Sequence, residues 1–376
     1  MLYFDHNAST PVRPEVVEAM RTVLADVSAN PSSLHREGQR AREQVAALLH
    51  ARPDDVVFTS GGTEGDHAGL IGSAWALEPQ GRRIAFAAIE HHAVHGAAEV
   101  LARSGFAAEH LPVLADGWVP PASLDALPAD ATVVAVMLAN NETGVLQPVA
   151  EIARCAHGRG LRVLCDAVQA AGKIPVDFEV LGADYLVVSG HKFGGPKGAG
   201  ALIVRPGAPL EPLFRGSGHE RGRRGGTENV PGIVGFGLAA ELAAREQRTE
   251  AVRLLALRER FERGLRSAVP DLVVHGARAP RLPNTVNASF PGARSDHLLM
   301  ALDARGIEVS AGAACASGAV EPSPVLAAMG VPRELAVCAL RFSMGRPTTE
   351  AEVDEVVAAV GDAVRAVRAV SAGGGA

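Results

Sequence analysis

The sequence predicts an α/β protein, with a large domain on a mainly parallel sheet and a smaller α+β domain. Three observations carry this reading. Short β-rich apolar runs alternate with helical patterns through the first part of the chain, the order of elements changes after about Gly232, and 376 residues exceed the size at which one hydrophobic core usually keeps growing. Glu15 to Asp26 and Arg36 to His50 carry apolar residues at helical spacing, with polar residues on the opposite face. Val56 to Thr59 and Arg83 to Ile89 read as buried strands, and Ala93 to Arg103 as the helix that follows. The alternation continues with Thr132 to Leu138 as a strand, Val149 to Arg159 as a helix, and Arg162 to Asp166, Tyr185 to Ser189 and Ala201 to Val204 as strands. Gly232 to Ala268 is strongly helical. Beyond it come candidate strands at Leu272 to His275, Thr285 to Ser289 and Ala339 to Ser343, then a final helix from Glu350 to Val370. The closing SAGGGA is expected to be a frayed tail, and no internal repeat is visible.

Composition excludes some functions. With 47% hydrophobic and 21% charged residues and a net charge of -6, the chain lacks the basic excess that captures nucleic acid. The N-terminus has no basic segment followed by a long apolar one, and runs such as Ala131 to Ala139 are too short to cross a bilayer, so a cytoplasmic protein is expected. The four cysteines, Cys155, Cys165, Cys315 and Cys338, show no CxxC spacing, so neither a metal site nor a disulfide framework is expected.

Chemistry concentrates at strand ends. In DYLVVSGHKFGGPKGAGALIV a strand leads into Ser189, Gly190, His191 and Lys192, then a glycine-rich turn and a second strand. A lysine must lose its proton to attack a carbonyl, and a desolvated site or a cationic neighbour makes that possible near neutrality. Upstream, VLCDAVQAAGK sets Asp166 at the C-terminal end of a strand, where open α/β sheets gather ligands. Lysine and carboxylate together fit a pyridoxal site: the lysine takes the aldehyde, and the carboxylate keeps the ring nitrogen protonated. Taken singly, Asp166 reads equally well as a helix N-cap and Gln169 as an ordinary helix residue. Ser60-Gly61-Gly62-Thr63-Glu64 after a strand offers backbone N–H groups and a helix N-terminus to an anion, although a plain glycine turn capped by Thr63 reads the same way. His91, in Glu90-His91-His92, suits stacking and proton transfer, and Asn141 lies in a turn able to offer an amide. Cys315 sits among small residues, Ser310 to Gly318, and is the nucleophile candidate; Cys155, Cys165 and Cys338 read as small core residues.

Several motifs in fixed order resemble one family: YFDHNAST, TSGGTE, IEHHAV, NNETGV, CDAVQAAGK, SGHKFGGPKG, GHERGRRGGTEN, SAGAACASG and RFSMGRPTTEAEVD. They are similar to those of the NifS/IscS-like cysteine desulfurases, in the class V aminotransferase group of fold type I pyridoxal-phosphate enzymes. The resemblance implies a large cofactor-binding domain at 12–248, and a small domain of 1–11 and 249–376 carrying the cysteine loop. By it, Lys192 is the Schiff-base lysine, His91 stacks on the cofactor ring and serves acid–base steps, Asp166 pairs with the ring nitrogen and Gln169 with the ring hydroxyl. Gly62, Thr63, Ser189 and His191 would hold the phosphate. Thr227 would reach the phosphate of a partner subunit, which implies a homodimer with a shared site. Asn141 and Arg341 would position the carboxylate of L-cysteine. Cys315 would take the sulfur as a persulfide and pass it to an acceptor for iron–sulfur cluster, thio-cofactor or tRNA synthesis.

Two departures stand out. Gly65 and His67 replace the family's common Ser and Asn, and SAGAAC replaces SSGSAC around the nucleophile. Competing readings are a selenocysteine lyase or transaminase of the same fold, in which Cys315 is incidental, and a sulfur-transfer scaffold with weak catalysis of its own.

Overall fold

In a computed structural model of the protein, residues 1–26, 37–311 and 321–373 are described. A seven-stranded sheet runs in the order Val56–Thr59, Gly200–Val204, Tyr185–Ser189, Arg162–Asp166, Ala131–Ala135, Arg83–Ala87, Ala107–Leu111. The last five strands in that order are parallel; Gly200–Val204 runs antiparallel to both its neighbours. The sheet is therefore mainly parallel, as the alternating pattern predicts, with one reversed strand.

Both faces of the sheet are covered, which is why its central strands read as unbroken apolar runs. On one face, Leu70 and Ile71 of helix Gly62–Ala76 and Val94 of helix His92–Arg103 pack with Leu164, Tyr185 and Leu202. On the other, Val45 and Leu49 of helix Glu37–Leu49 and Phe236 of helix Val230–Ala268 pack with Phe58, Val134 and Leu186. The reversed strand brings Gly200 against Gly61, where an added Cβ would lie 2.8 Å from the Gly61 Cα. That close approach sets the start of helix Gly62–Ala76 at the end of the sheet.

A further core gathers Phe4, Leu254, Phe261, Leu298, Phe342 and Val360. It is built on a three-stranded antiparallel sheet, Ala339–Ser343, Thr285–Ser289 and Val273–Val274, with the final helix Glu350–Gly373 against it. That helix extends into the segment whose composition suggests a frayed tail. The long helix Val230–Ala268 changes partners along its length: Ile233 to Ala243 belong to the sheet's core, Leu254 to Leu265 to this one. Leu2–Tyr3 adds a short parallel pair with Ile307–Glu308. Among the described residues no helix is long and apolar enough to cross a membrane.

Candidate active site

The C-terminal ends of the parallel strands open into a cavity of about 1050 Å³, lined also by Asn141 and Glu142 and by Arg341 of the three-stranded sheet. Lys192 closes a short turn, Gly190–Lys192, directly after strand Tyr185–Ser189. Its Nζ donates to the carbonyls of Asn7 at 2.6 Å and Ala8 at 2.9 Å. Burial, then the nearby Arg341 guanidinium, lower its pKa to about 8 against the opposing pull of Asp166 and Asp5. A primary amine in this state is partly neutral near physiological pH, as a nucleophilic lysine requires.

Asp166 ends strand Arg162–Asp166, and its Oδ1 accepts from the Val168 amide at 2.8 Å. Burial raises its pKa, while His91, that amide and Lys192 pull the other way. His91 caps helix His92–Arg103: its Nδ1 accepts from the Ala93 amide at 3.2 Å, which leaves Nε2 to carry the proton of the neutral ring. Burial lowers its pKa, so the ring is neutral at pH 7. Gln169 donates through Nε2 to the Asn7 carbonyl at 2.9 Å. Helix Gly62–Ala76 begins at the cavity wall with Gly61 as N-cap and no side chain capping its first turn, so its first N–H groups are open to an anion. A Cβ on Gly62 would come within 2.9 Å of Val168, itself part of the wall. Ser189 and His191 face the same space; His191 Nδ1 lies 3.2 Å from Ser9 Oγ, and burial with the surrounding lysines lowers its pKa to about 4. Asn141 and Arg341 face one another: the Asn141 carbonyl accepts from Arg341 Nη1 at 3.2 Å, and Arg341 Nη2 donates to Asp5 at 2.5 Å.

Of the residues singled out in the sequence, Lys192, His91, Gly62, Thr63, Asp166, Gln169, Ser189, His191, Asn141 and Arg341 line this one cavity. Thr227 does not. It is exposed and lines a separate small hollow with Ser60 and Arg224. Cys315 lies outside the described residues. Cys165 and Cys338 are buried as expected, with burial raising both thiol pKa values, whereas Cys155 is half-buried on its helix.

Several groups at the site carry no such signal in the sequence. Asn7 is a hub: besides its carbonyl, its side chain accepts from Lys173 at 2.9 Å and Asn284 at 3.1 Å and donates to Thr285 at 2.9 Å and the Asn141 carbonyl at 3.1 Å. Asp66, in the cavity wall, is 1% exposed and leaves Oδ1 without a protein partner among the described residues. Glu90 accepts from the Met137 amide at 2.7 Å with one oxygen and leaves the other without a partner among the described residues. Only Asn7, in YFDHNAST, and Glu90, in IEHHAV, sit in segments that stand out by their motif.

Residues 2–356 match the class-V aminotransferase family. A cysteine desulfurase IscS of Dictyoglomus turgidum (strain DSM 6724 / Z-1310) is 41% identical over 378 residues, which cover 98% of this chain and 96% of the relative. The chain belongs to the class-V aminotransferase family, among its cysteine desulfurases. A solved NifS-like protein shares the fold with a TM-score of 0.89 and 36% identity, over 97% of this chain and 99% of that one. SspA, solved in complex with cysteine, aligns with a TM-score of 0.80 and 31% identity over 92% and 99% of the two chains. The cofactor of this cysteine desulfurase is pyridoxal 5'-phosphate. The cavity fits it: a buried carboxylate for a ring cation, an uncapped helix N-terminus for a phosphate, and an amine of lowered pKa for an aldehyde.

Proposed function

We propose that the protein takes sulfur from L-cysteine, leaving L-alanine, with Lys192, His91 and Cys315 carrying the chemistry. The observation that supports it most is the meeting of Lys192, Asp166, His91 and Arg341 around one cavity. Lys192 would hold the cofactor, Asp166 its ring nitrogen and Gln169 its ring hydroxyl, with Gly62, Thr63, Ser189 and His191 around the phosphate. When bound, pyridoxal phosphate withdraws electrons from the substrate's α-carbon. Lys192, near the midpoint of its titration at physiological pH, both accepts a proton from that carbon and returns one. His91, a neutral imidazole in the cavity wall, would stack on the ring and donate through Nε2. Arg341, with Asn141, holds the substrate carboxylate.

Cys315 attacks as a thiolate. A bond forms between its Sγ and the substrate sulfur as the carbon–sulfur bond breaks; the carbon fragment gains a proton and leaves as L-alanine, and Cys315 keeps a persulfide. Two thiols become one persulfide and one new C–H bond, so no outside oxidant or reductant is needed. An acceptor protein or thiol then removes the sulfur, toward iron–sulfur cluster, thio-cofactor or tRNA synthesis.

The exposure of Thr227, away from its own chain's cavity, supports a homodimer in which it reaches the partner's phosphate. The core that joins Phe4 to residues from Leu254 onward, and the change of partners along helix Val230–Ala268, support domains at 12–248 and at 1–11 with 249–376. The free thiols of Cys155, Cys165 and Cys338 support a reducing, cytoplasmic setting. The decisive experiment is mass spectrometry after exposure to L-cysteine. One added sulfur on the peptide carrying Cys315, absent in Cys315→Ala while cofactor absorbance persists, is the expected result. Undiminished alanine release from Cys315→Ala defeats the mechanism.

A further inference from the structure

The Asp5 carboxylate already occupies part of Arg341. The ion pair is 2.5 Å long, with side chains 7% and 19% exposed for Arg341 and Asp5, so water screens it little. Neither partner is free to drift. Arg341 lies in strand Ala339–Ser343, paired with Asn287, and its amide donates to the Ser310 carbonyl at 2.6 Å. Asp5 bridges the same strand at Ser343, and its carbonyl accepts from the Tyr3 hydroxyl at 3.0 Å. Arg341 Nη1 is turned to the Asn141 carbonyl at 3.2 Å. This leaves Nε, buried and without a protein partner among the described residues, on a side chain that lines the cavity.

We propose that Asp5 is a positioning residue for the substrate: it aims the Arg341 guanidinium and partly cancels its charge, setting both the affinity for the substrate carboxylate and the charge felt at Lys192. This rests on the reading of Arg341 as the carboxylate-binding residue. The geometry gives Asp5 two separable actions. As an acceptor it fixes one edge of the guanidinium, leaving the Nε–H donor for an entering carboxylate. As an anion it competes with that carboxylate for the same positive charge. It also acts on Lys192, since Arg341 lowers the lysine's pKa and Asp5 opposes it.

Asp5→Asn keeps an acceptor and removes the anion, whereas Asp5→Ala removes both. The holoenzyme is titrated by the absorbance of its bound cofactor, with and without acetate, a carboxylate that cannot react. In Asp5→Asn the midpoint moves to lower pH, because a neighbour that favours the protonated state is gone. The same variant binds acetate more tightly and its KM for L-cysteine falls, each by roughly three- to tenfold, with kcat changed much less. Asp5→Ala shows the same spectral displacement without the gain in affinity, since its guanidinium is no longer aimed. An Asp5→Asn protein with the wild-type midpoint and acetate affinity overturns the proposal. Arg341→Gln separates the underlying reading: if it binds acetate as well as the wild type, Arg341 is not the carboxylate site, whatever Asp5 does.

Discussion

At Lys192 four influences set one pKa. Burial lowers it most, Arg341 lowers it further, and Asp166 and Asp5 oppose them, giving a value of about 8. Since only the neutral amine attacks an aldehyde, cofactor capture by the cofactor-free protein is expected to speed up with pH through a midpoint at about 8 and to level off above it. Arg341→Gln takes away a cation that favours the neutral amine, so the same curve moves to higher pH. Stopped-flow absorbance after mixing with pyridoxal phosphate measures both curves, and superimposable profiles contradict the assignment. The neighbouring imidazole has a different constraint. With Nδ1 of His91 tied to the Ala93 amide, the ring's tautomer is fixed by the helix it caps, so its proton sits on Nε2 before any ligand arrives.

Helix Gly62–Ala76 joins sequence departure to packing. Gly65, where the family commonly has Ser, lies over strand Tyr185–Ser189, and an added Cβ would stand 2.6 Å from Cγ1 of Val187. The glycine is therefore matched to a β-branched residue in the strand below it. Gly65→Ser is expected to lower stability by about 1–3 kcal/mol through overpacking, and Val187→Ala in the same chain to recover part of the loss. Urea unfolding of the single and double variants checks this; additive losses would show that the two positions are not packed against each other. His67, the other departure, bonds back through Nδ1 to the Thr63 carbonyl at 2.9 Å, one turn earlier on the helix. The elements legible in the sequence are those with a uniform environment. Val56–Thr59, Arg162–Asp166 and Tyr185–Ser189 match their expected limits, because a strand buried on both faces is apolar from end to end or bounded by abrupt polar residues. The edge strand Ala107–Leu111 gives no such signal: AAEHL alternates half-buried and exposed positions over four residues before the buried Leu111. It forms because Arg83–Ala87 offers it a partner, which local pattern does not reveal.

Across the whole molecule the site is assembled from distant stretches, and that sets what sequence can show. Lys192 and Asp166 end neighbouring strands of one fold pattern, so their chemistry and position are legible together. Asn7 joins Gln169, Lys173, Asn284 and Ser343, residues that meet only once both cores have formed, and its own type in a polar N-terminal run says nothing of them. Asp66 is hidden for a similar reason: beside Thr63, Glu64 and His67 in the first turns of its helix, an acid reads as a solvent-facing residue until the helix is placed. The fold buries it beside Asp166 and Glu90, and burial first, then those two charges, push its pKa well above the usual carboxyl range. The sign of the consequence follows. A carboxyl whose pKa rises on folding is protonated in the native protein over a range where the unfolded chain is ionised, so folding takes up a proton. Its contribution to stability is fully present below about pH 4, the unfolded value, and is lost as pH rises toward the folded one. Glu90 is shifted the same way, chiefly by burial, and adds to the slope. Asp66→Asn keeps the shape and removes the titration. In the cofactor-free protein its urea midpoint is expected to fall less than the wild type's between about pH 5 and 8, and to exceed it at the upper end. Parallel midpoint curves for the two proteins would mean that Asp66 is ionised in the fold and has found a partner there.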